Sequence, residues 1–278
     1  EGPTTKGPIP IASSDNFTIP SILSEKTENH FYNLGGRAYS GFQEVVLFNS
    51  LINKLENLQT VIVFSGVNDI FFNSYIEKYD QILGPIFFNK QFKEAMFASS
   101  LGWKKKLVKF FFQPFLKDDI DWSNLNKKNL LNNLFKKGNQ TTTSNNDNFE
   151  LIKKIVKRNL ICWSNIQRGM KIKLIYFLQP LSIWCKRELS DEEKMIFEEL
   201  DKFSLKTNNT LKSLNFEIYS KYKNYLSTTC KELDIEFFDC NKYFSNEKFD
   251  KKWIFLDRIH MTDLGNKYIS ELIASKMK

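Results

Sequence analysis

Residues 61–69 read Val61-Ile62-Val63-Phe64-Ser65-Gly66-Val67-Asn68-Asp69. The first four form a continuous apolar run, which is typical of a strand that a parallel sheet buries on both faces. Small and polar residues follow at once, so the chain is expected to turn where the strand ends. In such sheets ligands bind at the carboxyl ends of the strands. The stretch therefore predicts a buried strand that delivers the Asn68 side chain to a ligand-binding edge.

The remainder of the chain alternates strand-like and helix-like segments in the same way. Short apolar runs predict three further strands, at 31–34, 174–178 and 235–238. Apolar residues spaced by three and four predict helices over 42–58, 151–170, 192–205, 211–233 and 262–277. Ser190 and Glu193 form a capping-box pattern at the start of the third helix. Crossovers of this length join parallel strands, so we predict an α/β fold with three layers, α/β/α.

One region, 79–148, interrupts the alternation. It contains aromatic and basic residues, such as Trp103-Lys104-Lys105-Lys106, and ends in the polar tract 138–148. We interpret it as a helical insertion that caps one edge of the sheet within a single domain of residues 1–278. An amphipathic membrane-surface segment is the alternative, because Lys and Phe also mix in interfacial helices, but Pro114 interrupts a helix there.

Composition limits the classes of protein that the chain can belong to. With 278 residues, 42% of them apolar and 26% charged, it suits a folded globular protein. The formal net charge of +8 comes from lysines spread along the chain, so we predict no nucleic-acid partner. The four cysteines lack a C-x-x-C pair, and we expect buried free thiols and no metal site. Neither a cellular location nor an oligomeric state follows from the sequence.

A second chemical motif, Asp257-Arg258-Ile259-His260, lies near the C-terminus. An Asp three residues before a His can accept the Nδ1 hydrogen, which leaves Nε2 as a general base toward a hydroxyl nucleophile. The chain has only two histidines, and His30 has no carboxylate placed in this way. If a histidine takes part in catalysis, His260 is the candidate.

Together, Gly66-Val67-Asn68-Asp69 and the segment from Asp257 to Thr262 resemble motifs of the SGNH (GDSL-like) hydrolase family. The stretch Asn33-Leu34-Gly35-Gly36-Arg37-Ala38-Tyr39-Ser40 is similar to the family's second block, so the resemblance covers most of the chain. It implies a flavodoxin-like parallel sheet and hydrolysis of an acyl ester of a small molecule, a glycan or a lipid. It also implies that no cofactor is required.

The resemblance further implies a role for each matching residue. Asn68 would donate a hydrogen bond to the oxyanion, Asp257 would orient the imidazole, and His260 would be the base. The backbone N–H of Ala38 would complete the oxyanion hole, at a position that is usually glycine in the family. An N–H survives this replacement as long as the turn does not require a positive φ.

The family's nucleophile block is where this chain departs from the pattern. By the family's spacing, the block falls on Glu1-Gly2-Pro3-Thr4-Thr5-Lys6-Gly7, with Pro3 in place of the nucleophilic Ser and without the strand that precedes the block in the family. Proline has no hydroxyl and cannot attack an ester, and Thr4 lies one residue off register.

Three accounts of the nucleophile stay open. The chain is a truncated or altered copy of an active hydrolase; or it is an inactive protein whose cleft binds an acylated carbohydrate or lipid; or Ser14 or Ser13 replaces the missing nucleophile.

Overall fold

The structure, a computed structural model, describes residues 14–36, 39–75, 145–203 and 214–277. Within these ranges three strands form one parallel sheet in the order β1-β2-β3: Thr60–Ser65 (β1), Lys173–Leu178 (β2) and Glu236–Asp239 (β3). Ser65 pairs with Leu178, and Leu178 pairs with Asp239. All three strands therefore end level, at what we call the carboxyl edge of the sheet.

Each face of the sheet is covered by helices. Their bounds are Ile19–Thr27 (α1), Gly41–Leu51 (α2), Val67–Tyr75 (α3), Asn145–Met170 (α4), Asp191–Phe203 (α5), Phe216–Glu232 (α6), Cys240–Phe244 (α7) and Asp263–Met277 (α8). Helices α2, α3, α4 and α6 contribute to a first core on one face, and α1, α5, α7 and α8 to a second core on the other. The predicted three-layer α/β/α arrangement is confirmed.

Strand β2 is apolar from Leu174 to Leu178, and its packing shows why. Leu174, Tyr176 and Leu178 are buried in the first core, whereas Ile175 and Phe177 are buried in the second. Successive side chains of a strand point to opposite faces, so where both faces are covered every side chain is buried and apolar residues are favoured at every position.

Helix α5 begins as its sequence predicts. The Ser190 N–H donates to Glu193 Oε2 at 3.0 Å, and the Glu193 N–H donates to Ser190 Oγ at 3.2 Å. The two residues thereby satisfy backbone and side-chain groups reciprocally at the helix start. The predicted capping box is confirmed.

The prediction of a strand at 31–34 is wrong. This segment forms no ladder with the described strands. Instead, the Phe31 N–H donates to Ser24 Oγ of α1 at 3.2 Å, and the Gly35 N–H donates to Asn33 Oδ1 at 2.9 Å. An apolar run becomes a strand only when a neighbouring strand supplies partners for its backbone, and here a side chain of α1 takes that place.

Nearly all of the predicted insertion at 79–148 lies outside the described residues; only 145–148 are described, as the start of α4. The one-domain organisation stays a prediction. Among the described helices, none combines the length and the apolar character needed to cross a membrane. In the same ranges, no three His, Cys, Asp or Glu side chains are grouped as metal ligands.

Candidate active site

The structure joins Asp257 and His260 directly. His260 Nδ1 lies 2.7 Å from Asp257 Oδ2, and Asp257 Oδ1 accepts the N–H groups of Ile259 and His260, both at 2.7 Å. Both carboxylate oxygens are engaged, so the carboxylate is fixed relative to the ring. When Nδ1 carries the hydrogen of this contact, Nε2 holds the free lone pair.

The surroundings of Asp257 favour its ionised form. Burial would raise the pKa of the carboxyl, but the hydrogen bond and positive charge of His260 and the two backbone N–H groups outweigh it, and the pKa is held below its ordinary value. The His260 side chain remains 38% exposed. An ionised carboxylate thus lies behind an imidazole ring that a substrate can reach.

The pair lies at the tip of a loop of residues 252–262, which we call the histidine loop. The Thr262 N–H donates to the Ile254 carbonyl at 2.8 Å, which closes the base of the loop. Near the tip, the Arg258 carbonyl accepts the N–H of Ser182 at 2.9 Å. Ser182 follows the end of β2, so the loop is tied to the carboxyl edge.

Asn68 reaches the same edge from β1. It lies in the first turn of α3, and its Nδ2 donates to the Tyr39 carbonyl at 2.8 Å. A carboxamide nitrogen has two hydrogens, so the bond to Tyr39 orients the group and leaves one hydrogen for a substrate oxygen. Asn68, Tyr39 and Gln179 line a cavity of about 1200 Å³.

Asp69 supports this arrangement from within the core, a role that sequence reasoning missed. Its Oδ1 accepts the Gly41 N–H at 3.0 Å, which holds the start of α2, and with it Tyr39, close to Asn68. Burial raises the pKa of the Asp69 carboxyl to about 6, against the opposing effects of the Gly41 N–H and the Arg158 charge. An Asp beside Asn in a predicted turn gives no sign of burial, because turn residues are usually exposed.

Among the described residues, no hydrogen bond joins Asn68 to Asp257 or His260, and neither member of the pair lines the cavity beside Asn68. The other predicted site residues are not brought to the pair by described contacts either. Ser14 is exposed, and its carbonyl accepts the Phe17 N–H at 3.1 Å in the turn Asp15–Phe17. Within the described ranges, no hydrogen bond joins Ser14 to His260 or Asn68. Four further positions lie outside the described residues: Pro3, Thr4, Ser13 and Ala38.

Comparisons with known proteins add little to this geometry. No protein-family model matches the sequence, and no curated protein matches it. Among solved structures, the chain is similar to an acetyl xylan esterase, AlAXEase, with a TM-score of 0.49 and 10% identity over 95% of this chain and 92% of that chain. A likeness of this size assigns neither an activity nor a residue. The fold is therefore defined by the strand pairing described above, and the candidate site is defined by the contacts of its own residues.

Proposed function

We propose that the protein is an ester hydrolase of the SGNH (GDSL-like) type. The observation that carries this proposal is the 2.7 Å contact between His260 Nδ1 and Asp257 Oδ2. A carboxylate on Nδ1 keeps Nε2 available to take the proton of a hydroxyl group as that group attacks an ester carbonyl. The histidine loop is tied to the carboxyl edge, where parallel α/β sheets usually bind their ligands.

In the proposed reaction, His260 first accepts a proton and then donates it. The hydroxyl oxygen bonds to the carbonyl carbon while its proton passes to His260 Nε2, and the carbonyl electron pair moves to the oxygen. The free amide hydrogen of Asn68 stabilises this oxyanion. When the intermediate collapses, the alcohol oxygen leaves with the proton from His260. Water then repeats the cycle on the acyl group and releases the acid.

Ser14 is the described hydroxyl that we propose as the nucleophile. It lies in the N-terminal segment that α8 holds, since Asn266 Nδ2 donates to the Phe17 carbonyl at 3.1 Å. Asn266 is in the first turn of α8, which starts just after His260. A Ser14→Ala variant distinguishes the routes: loss of activity assigns the attack to Ser14, whereas full activity assigns it to another hydroxyl or to water activated by His260.

For the substrate we propose a short-chain acyl ester of a small molecule or a carbohydrate. The cavity beside Asn68 has polar side chains from Asn33, Tyr39 and Gln179 next to apolar ones such as Phe48 and Phe64. Polar groups suit the hydroxyls of a sugar or similar alcohol, and apolar groups suit the acyl chain.

Hydrolysis of p-nitrophenyl acetate and of an acetylated oligosaccharide tests the proposal. Removing one oxyanion donor costs on the order of 10²- to 10³-fold in kcat, so we expect Asn68→Ala to lose that much. We expect Asp257→Asn and His260→Ala to lose on the order of 10³- to 10⁴-fold. The control Asp234→Asn removes a carboxylate at an exposed position just before β3 and should keep full activity.

Two results would contradict the proposal. Activity that survives His260→Ala would show that His260 is not the general base. Wild-type protein that hydrolyses neither ester but binds the acetylated oligosaccharide is a binding protein with the same cleft.

A further inference from the structure

The base of the histidine loop is held by a buried ion pair. Glu193, in the first turn of α5, is fully buried, and its Oε1 accepts the N–H groups of Ile254 at 3.0 Å and Phe255 at 2.9 Å. The same oxygen is bound by the guanidinium of Arg187, whose Nη1 also donates to the Lys252 carbonyl at 3.2 Å. One carboxylate and one guanidinium therefore fix the backbone from which the loop rises.

The tip of the loop is held by the other end of the same helix. Arg258 lies between Asp257 and His260, and its guanidinium forks onto Asp201, with Nη2–Oδ2 at 2.9 Å and Nε–Oδ1 at 3.3 Å. It also lies 4.9 Å from the ring centroid of Phe197, which is buried in the second core. A planar guanidinium with two bonds and a ring beneath it has a defined orientation.

Helix α5 thus contacts the loop at two separated points. Glu193 and Asp201 are eight residues apart, which is about 12 Å along a helix. A rigid helix that binds both the base and the tip sets the angle at which the loop stands over the carboxyl edge.

We propose that α5 positions the histidine loop for catalysis, with Asp201 and Arg258 as positioning residues; this inference rests on the proposed function. The alternative is an ion pair that matters only locally. Partly exposed ion pairs contribute little to stability, so variants of this pair are expected to fold, with melting temperatures within a few degrees of wild type.

The test compares Asp201→Asn and Arg258→Gln in the full chain. We expect kcat for p-nitrophenyl acetate to fall about tenfold or more in both variants while KM changes less than twofold, since misplaced groups slow the chemical step. The matched control is Glu199→Gln, which removes the same charge from the same helix but pairs with Lys202. We expect it to retain wild-type kcat.

A second readout separates positioning from a charge effect through space. The chain has two histidines, so titration of their ring protons by NMR follows His260 once His30→Gln has assigned the other signal. If the pair positions the loop, both variants weaken the contact with Asp257, and the titration midpoint of His260 falls in both. Charge alone would lower the midpoint in Asp201→Asn but raise it in Arg258→Gln. Opposite shifts, or kcat values equal to that of Glu199→Gln, would overturn the proposal.

Failure of the proposed function would look different. Asp257→Asn is the reference, because it removes the carboxylate that contacts the ring. If the wild-type protein hydrolyses no ester, the NMR titration still decides whether α5 positions the loop. If Asp257→Asn leaves the titration midpoint of His260 unchanged, the Asp257–His260 contact is contradicted, and with it the proposed function.

Discussion

Asp69 is an acid in surroundings that disfavour its charge. Burial raises the pKa of its carboxyl from 3.8 to about 6, and the Gly41 N–H and the Arg158 charge offset this effect only in part. A Cβ added to Gly41 would lie 2.8 Å from Asp69 Oδ2, so the helix start and the carboxyl are in close contact. The geometry that holds Tyr39 next to Asn68 is therefore obtained by burying an acid.

The sign of this effect gives a prediction for Asp69→Asn. The pKa of Asp69 is higher in the folded state than in the unfolded state, so protonated Asp69 favours folding. This stabilisation is fully present below about pH 4 and is lost as the pH rises through about 6. For a shift of about two pH units the loss is about 3 kcal/mol by pH 7. Asparagine does not titrate and still accepts from Gly41. The free energy of unfolding of the variant relative to wild type should therefore rise by that order between pH 4 and pH 7.

Urea unfolding at each pH measures this difference. Asp234→Asn, a change at an exposed position, is the control and should show no comparable rise. The same relative stability of Asp69→Asn at both pH values would contradict the burial of an ionisable group at this position.

At the scale of elements, the junction of β1 and α3 depends on Gly66. Its φ is +108°, and a Cβ there would lie 2.8 Å from Leu178 Cδ1 and 2.9 Å from the Tyr176 hydroxyl. The apolar run and the turn are local features, so the sequence predicts both. It cannot show that side chains of β2 close over the turn, because that contact depends on which strand pairs with β1.

We expect Gly66→Ala to lower the free energy of unfolding by about 1–3 kcal/mol, the usual cost of a side chain in such a backbone region. Gly169→Ala is the matched control: Gly169 lies in α4, and an added Cβ would meet no atom within 4 Å apart from its chain neighbours and the backbone of its own helix. Alanine in a helix stabilises by up to about 1 kcal/mol relative to glycine. Thermal or urea unfolding should thus shift in opposite directions for the two variants. A neutral Gly66→Ala would mean that the junction tolerates a side chain.

The same distinction explains which elements the sequence predicts. Strands β1, β2 and β3 and the pairing of Asp257 with His260 follow from short-range patterns, namely apolar runs and a spacing of three residues. The strand expected at 31–34 fails because its partner is set by the fold. Helix α1 was missed because it is short and has Pro20 in its first turn. The Arg258–Asp201 contact could not be predicted from the sequence either, since it joins residues far apart in the chain.

At the scale of the whole molecule, β2 links the two cores. Its alternate side chains belong to opposite faces, so neither core can lose its packing against the sheet without disturbing this strand. One domain with one cooperative unfolding transition is the expected consequence. The cysteines report on both cores: Cys230 is buried in the first, and Cys185 and Cys240 are buried in the second.

Burial keeps these three thiols unreactive in the folded protein. It raises the pKa of Cys230 to about 12 and those of Cys185 and Cys240 well above the ordinary range, so little thiolate exists at pH 8. We expect pulses of iodoacetamide across a urea series, read by mass spectrometry, to label all three at one urea concentration. Cys162, which is partly exposed, serves as the control and should be labelled before that transition. Labelling of Cys230 at a clearly lower urea concentration than Cys185 and Cys240 would mean that the two faces unfold separately, and the one-domain prediction would then be wrong.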